Sequence, residues 1–309
     1  MNKDASIFIT GGSGMLGKAL RSELAFLGYT NIYAPTRAEL NLLDLESVSY
    51  YLKSIKPDYI FHLASLVYGL KGNMNNQMQS LVNNTKIYAN LFEAISDSCQ
   101  PKKIFFAGTV ASYGYPYVSQ PLREEDFFVG LPHSGEFGYA MAKRHAYSYL
   151  DVLYKSLNIP YVYGALTNLF GEHDTFNSDT GHVIPSLIKK AVFSRNNGLK
   201  TFEVWGNPRS ARDFLYIKDA ARIVVHLMGV DSGIYNISTG ASISMGDLAN
   251  IIASNLNNDV SPCWDSEQPV GISDRVVSNI KLLNSGFSNY TKFSTAIAQT
   301  INWYQKEIS

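Results

Sequence analysis

Along the first 165 residues, short apolar runs alternate with longer stretches whose apolar positions recur every three or four residues. "SIFIT", "NIYAP", "YIFHLAS", "KIFFAGT" and "PYVYGAL" read as buried strands, and 14–27, 46–56, 79–98 and 137–157 have helical length and periodicity. Strands alternating with helices predict an α/β fold with a doubly wound parallel sheet. After "GALTNLFG" the order loosens: 172–181 is rich in polar and turn residues, 182–195 reads as a helix, and "FEVWG" and "GIYNIST" read as further strands. "SMGDLANIIASNL" and "TKFSTAIAQTINWYQKEI" read as late helices, the first with Ser244 as its N-cap. The expected organisation is one unit over 1–170 and a smaller C-terminal α/β lobe over 171–309, with segments such as 210–240 returning to the first.

Composition adds mainly exclusions. Among 309 residues, 26 Lys and Arg balance 26 Asp and Glu, so no overall field draws the protein to nucleic acid or a membrane surface, and an anionic ligand must meet local groups. Cys99 and Cys263 lack the clustered spacing of a metal site or a disulfide framework and read as reduced structural thiols. "MNKDASIFIT" lacks the pattern of a signal peptide, and no apolar run approaches the length that spans a bilayer. The expectation is a cytoplasmic protein with no metal, membrane or nucleic-acid partner.

The stretch "ITGGSGMLGKAL", residues 9–20, puts glycines at 11, 14 and 17 between a strand and a helix. Gly11 permits the tight turn, Gly14 lets backbone N–H groups approach a pyrophosphate, and Gly17 allows close packing of the helix, whose N-terminus favours negative charge. Gly11, Gly14, Met15, Leu16 and Gly17 are thus the expected cradle of a dinucleotide in a Rossmann unit. About twenty residues on, where an NAD site carries a carboxylate for the ribose hydroxyls, stand Thr36 and Arg37. An arginine there pairs with a 2′-phosphate and favours NADPH; the plain alternative is an exposed surface arginine.

Chemistry enters with "GYAMAKRHA", which places Tyr139 and Lys143 four apart on one helix face. A phenol titrates near pH 10, so a neighbouring cation that favours phenolate makes it a usable acid at neutral pH. Thr109, at the C-terminal end of "KIFFAGT", lies where ligands bind in open α/β sheets and offers a hydroxyl to a substrate carbonyl.

The GxxGxxG spacing and the Thr109, Tyr139, Lys143 set resemble the short-chain dehydrogenase/reductase family, with threonine in place of its commoner serine. "RAELNLLDLESV", "TNLFGEHDTFNSDTGHVIPSLI" and "VWGNPRSARDFLYIKDAA" extend the resemblance over nearly the whole chain, to the extended reductases of the GDP-fucose synthase group. That resemblance implies a GDP-linked 4-keto-6-deoxy sugar reduced at C4, and a homodimer built from the helices around 79–98 and 137–157. Asp44 and "HLAS", with Leu63 and Ala64, match positions that contact adenine and line the cofactor groove, although helix capping or packing explains either equally well. Asn168, His182, Val183, Trp205 and Arg212 match residues lining the sugar-nucleotide site. Arg212 suits a diphosphate, against an ion pair with Asp213; Trp205 stacks on a ligand or anchors a core. Arg275 falls where the family keeps basic residues, but Gln268 replaces the lysine of the family's KPDG pattern.

One departure bears on mechanism. The family's G-S-S-C-x-Y-P appears as Gly108-Thr109-Val110-Ala111-Ser112-Tyr113-Gly114, with Ala111 in place of the cysteine that works with the histidine matching His182 to exchange protons beside the keto group. Ala111 cannot move a proton, and Ser112 is a weak substitute for a thiol. His182 is then expected to cap the following helix or hold a substrate hydroxyl. The reading is a C4 reductase that leaves C3 and C5 unchanged, with a 6-deoxy-heptose as the specific expectation. A bifunctional epimerase/reductase and a catalytically silent NADP-binding sensor are the rivals.

Overall fold

The computed structural model describes residues 1–68, 70–176, 182–265 and 275–308. The first half runs β1 (Ile7–Thr10), α1 (Met15–Phe26), β2 (Ile32–Tyr33), α2 (Leu45–Ile55), β3 (Tyr59–His62), α3 (Leu70–Asn75), α4 (Gln77–Ser98), β4 (Lys103–Thr109), α5 (Phe137–Leu157) and β5 (Tyr161–Leu166). Next come β6 (Asn168–Phe170), α6 (Val183–Asn196), β7 (Thr201–Trp205), β8 (Ala211–Arg212), β9 (Phe214–Tyr216), α7 (Ile217–Leu227) and β10 (Gly233–Ile237). The chain closes with β11 (Ile243–Ser244), α8 (Met245–Ser254), β12 (Ser261–Asp265), α9 (Ile280–Asn284) and α10 (Phe293–Glu307).

Six strands form one parallel sheet in the order β10-β5-β4-β3-β1-β2. Alternate side chains reach opposite faces. Phe8, Ile60, Ile104 and Phe106 pack with Val48, Leu52, Tyr88 and Leu150 of α2, α4 and α5. Ile7, Ile9, Phe61 and Phe105 join Leu16, Leu20, Leu24 and Val224 of α1 and α7 on the other face. Each fully buried side chain of this size stabilises the fold by roughly 1.5–3 kcal/mol. The second cluster continues into Ile188, Phe202, Val204, Leu248 and Ile252, so one core joins the sheet to the C-terminal elements.

The loosely ordered second half divides between the two regions. "GIYNIST" supplies β10, the sixth strand of the main sheet, whereas "FEVWG" supplies β7, which pairs with β12 away from it. No expected helix covers α7, although Ile217, Ala220, Ala221 and Val224 stand at i, i+3, i+4 and i+7 and are all buried. Short polar side chains close two helices. Asp44 accepts hydrogen bonds from the Glu46 and Ser47 amides at 3.1 and 3.3 Å, and Ser244 accepts one from the Asp247 amide at 3.0 Å. Losing such a cap costs about 1 kcal/mol.

The chain runs from β1 outward to β2, then returns to the other side of β1 for β3. A crevice opens at this reversal, outside the carboxyl ends of the strands.

Candidate active site

A groove of about 250 Å³ fills that crevice, lined by Thr10, Gly11, Gly12 and Ser13 after β1, Pro35, Thr36 and Arg37 after β2, and Ala64, Ser65 and Leu66 after β3. Leu40, Asn41, Leu42 and Leu43 close one side. Gly11 has φ +72°, and a Cβ there would come 2.8 Å from the Ala64 nitrogen, so the two strand ends meet only through glycine. At Gly17 a Cβ would come 2.2 Å from the Gly11 carbonyl, so this glycine packs the helix against the turn itself.

Gly14 is the N-cap of α1 with no side-chain hydrogen bond, and the first turn contains no acidic residue. The first-turn amides, at Met15, Leu16 and Gly17, have no intrahelical acceptor and are open to an anion. Arg37 lies exposed at the groove's outer end beside Thr36, whose amide donates to Glu39 at 2.7 Å. Glu39 therefore sets a carboxylate close to the expected 2′-phosphate site. Asp44 lies beyond the groove lining, engaged in its cap.

Outside that lining, Thr109 ends β4, and Tyr139 and Lys143 lie on α5. The Thr109 hydroxyl hydrogen-bonds to the Tyr139 phenol and accepts from the Ala111 amide at 3.2 Å. Lys143 is 2% exposed; its Nζ donates to the Ala107 carbonyl at 2.6 Å and lies 5.7, 5.2 and 4.8 Å from the ring centres of Tyr139, Tyr88 and Phe106. The three residues expected to act together thus meet at one place.

Their electrostatics correct one expectation. Burial, with a smaller contribution from Glu136, pushes the Tyr139 phenol up, although the Thr109 hydrogen bond opposes the change. Burial also pushes the Lys143 ammonium down to about 7. Desolvation dominates at both groups, and at Tyr139 it favours the protonated phenol, the form that donates to a carbonyl oxygen.

Behind the pair lies a network with no signal in the sequence. Thr10 Oγ1 and His62 Nδ1 are 2.7 Å apart, and Ser65 Oγ is 2.8 Å from the Tyr88 hydroxyl and donates to Asn84 at 3.0 Å. Gly138 brings Tyr139 up to α4, its amide donating to the Gln77 side chain at 2.6 Å.

The expected sugar-nucleotide residues have mixed surroundings. Ala111 is 4% exposed, and Ser112 is fully buried with its hydroxyl donating to the Ala140 carbonyl at 3.2 Å, which withdraws it from proton exchange with a substrate. Asn168 Nδ2 donates to the Asp213 carbonyl at 2.9 Å. Val183 opens α6, but His182 makes no side-chain cap to that helix; its Nδ1 lies 3.4 Å from the buried Asp174 carboxylate, which pushes the imidazole up. Trp205 is 51% exposed with Lys190 Nζ 4.2 Å above its ring, so it anchors no core.

Arg212 lies on β8, while the neighbouring Asp213 carboxylate accepts from Thr239 and Gly240. Arg275, expected among the substrate-site residues from its place in the family pattern, donates from Nε to the Tyr117 hydroxyl at 2.7 Å and from a terminal nitrogen to Glu136 at 2.9 Å. Gln268 lies outside the described residues. Glu136, three positions before Tyr139, follows from helical spacing; Tyr117, more than 150 residues from Arg275 in sequence, does not.

Residues 7–238 match the model of the NAD dependent epimerase/dehydratase family, and the chain belongs to that family of enzymes. Among its relatives, a GDP-L-colitose synthase from Yersinia pseudotuberculosis is 28% identical over 305 residues, covering 97% of this chain and 98% of that protein. A GDP-L-fucose synthetase from Naegleria fowleri, crystallised with NADP, is 27% identical with a TM-score of 0.90 over 100% of this chain and 95% of that one. A GDP-mannoheptose C4 reductase from Campylobacter jejuni shares the fold, with a TM-score of 0.89 at 22% identity over 99% of each chain.

Proposed function

We propose that this enzyme reduces the C4 keto group of a GDP-linked 4-keto-6-deoxy sugar with NADPH and leaves C3 and C5 unchanged. The substrate class rests on the relatives named for GDP-L-colitose and GDP-L-fucose synthesis, and the cofactor on the NADP-bound relative and on the groove. The residues fit the cofactor: uncapped amides at the start of α1 suit the pyrophosphate, and Arg37 suits a 2′-phosphate. NADPH supplies a hydride to C4.

The chain's own residues do the rest. Thr109 orients the ketone with its hydroxyl, and Tyr139 delivers its phenolic proton to the C4 oxygen as the alkoxide forms. Lys143, held by the Ala107 carbonyl, stabilises the resulting phenolate until a proton returns from solvent. The observation that carries the reductase-only reading is Ala111, a buried methyl where the family pattern implies a thiol. Inversion at C3 or C5 needs one group to remove a proton and another to return it to the opposite face, and this position supplies neither.

The His182–Asp174 pair favours a second reading, a bifunctional enzyme with an imidazole biased toward its protonated form. A homodimer through α4 and α5 is supported by Met78 and Val82 on the first helix and Val152 and Tyr154 on the second, all exposed. A 6-deoxy-heptose is the sugar we favour within the class, on the departures around Ala111 and in residues 65–79.

The test is NADPH oxidation over a panel of GDP-4-keto sugars, with each product characterised by NMR. Turnover to a C4 alcohol of unchanged C3 and C5 configuration is expected. No turnover across the panel would contradict the substrate class.

A further inference from the structure

Three groups that the proposed reaction does not use meet beside the proton donor. Glu136 is the N-cap residue of α5, one helical turn before Tyr139. Its carboxylate takes a 2.9 Å hydrogen bond from Arg275, whose Nε donates to the Tyr117 hydroxyl at 2.7 Å. The ion pair is largely withdrawn from water, with side-chain exposures of 13% for Arg275 and 16% for Glu136. Backbone pairing between Arg212 and Arg275 fixes the segment that carries the guanidinium. A largely covered carboxylate paired with an arginine that is itself tied to a tyrosine costs desolvation on each charge, and a surface helix start needs no such arrangement.

We propose that Glu136, held in place by Arg275 and Tyr117, is a positioning residue that sets how readily Tyr139 releases its proton. This inference rests on the reading of Tyr139 as proton donor. A fixed negative charge one turn away keeps the phenol protonated until a substrate oxygen takes the proton, and Arg275 limits the size of that field while preventing the carboxylate from turning toward the substrate.

The other groups facing Tyr139 are Lys143 on its own helix, Thr109 at the end of β4, Tyr88 from α4 and Tyr163 from β5, with His62 behind Lys143 and Arg144 beside Tyr163. The Glu136 carboxylate acts on the phenol in the same direction as burial, which is the larger effect.

The test is the pH profile of kcat/KM for reduction, measured with NADPH and an accepted GDP-4-keto sugar. Glu136→Gln keeps an acceptor for Arg275 but removes the charge, and its alkaline limb is expected at lower pH than in the wild type. Glu136→Asp, which restores the charge, returns the limb toward the wild-type position, and Arg275→Met does not move it downward. A Glu136→Gln profile that superimposes on the wild type after scaling would overturn the inference, as would an equal downward movement in Arg275→Met. Should Glu136→Gln fail to fold, the Arg275→Met profile decides by itself, because a downward movement contradicts a carboxylate acting on the phenol. Tyr139→Phe, assayed alongside, separates the two claims: if it retains turnover the proton-donor reading fails, and if it is inactive the Glu136 result stands alone.

Discussion

Lys143 Nζ stands 5.7 Å from the centre of the Tyr139 ring while donating to the Ala107 carbonyl at 2.6 Å. The cation is thus held by backbone, while the phenol on the same helix face is hydrogen-bonded to the Thr109 hydroxyl. On the proposed reading, proton delivery is divided between a donor, Tyr139, and a neighbour, Lys143, that stabilises what the donor becomes.

Tyr139→Phe removes the transferable proton and leaves the ring packing intact. Cofactor binding, followed by fluorescence titration with NADPH, is expected to be unchanged, while kcat falls by about 10²–10⁴-fold. Retention of most of the activity would assign the proton to another group.

Lys143 gives a pH-dependent stability effect. Its folded value of about 7 lies below the ordinary lysine value of 10.5, so between those pH values the unfolded chain binds more protons, and stability rises with pH across that window. Lys143→Met is therefore expected to raise the Tm of the cofactor-free protein below pH 7, by an amount worth a few kcal/mol, with the gain shrinking toward pH 10. A gain independent of pH would show that burial of the charge is not its source.

Arg37→Ala tests the outer end of the groove. NADPH affinity is expected to fall about tenfold, the loss of one charge-assisted contact, with NADH affinity nearly unchanged. Glu39→Gln, which removes the nearby carboxylate, is expected to move NADPH affinity the other way. Equal losses for both cofactors in Arg37→Ala would remove the arginine from 2′-phosphate recognition.

Gly17→Ala tests the turn. The added methyl would lie 2.2 Å from the Gly11 carbonyl, so backbone must shift, at a cost of about 1–3 kcal/mol read as a lowered Tm, together with weaker NADPH binding. An unchanged Tm would mean the turn has slack that the packing does not suggest.

Local pattern made much of this legible. The glycine ladder, the alternation of strand and helix, and the four-residue spacing of Tyr139 and Lys143 are relations between near neighbours, and they led directly to the sheet, the crevice and the paired side chains. What escaped depends on residues distant in sequence. Arg275 reads as a free basic group until Tyr117 and Glu136 are placed around it, and His182 reads as a helix cap until Asp174 takes its Nδ1. The direction of the Tyr139 shift is also hidden, because neighbouring charges are visible in a sequence and the desolvation that dominates here is not. The two-residue strands β8 and β11 carry no periodicity and gain their form only by pairing.

Running the reduction in D2O with unlabelled NADPH, beside an enzyme-free control for spontaneous exchange, tests the central claim most directly. A product with no enzyme-dependent deuterium on carbon is predicted, since the hydrogen at C4 comes from the cofactor and the hydroxyl deuteron washes out. Deuterium at C3 or C5 above the control would contradict it and assign proton exchange to His182 and a second group.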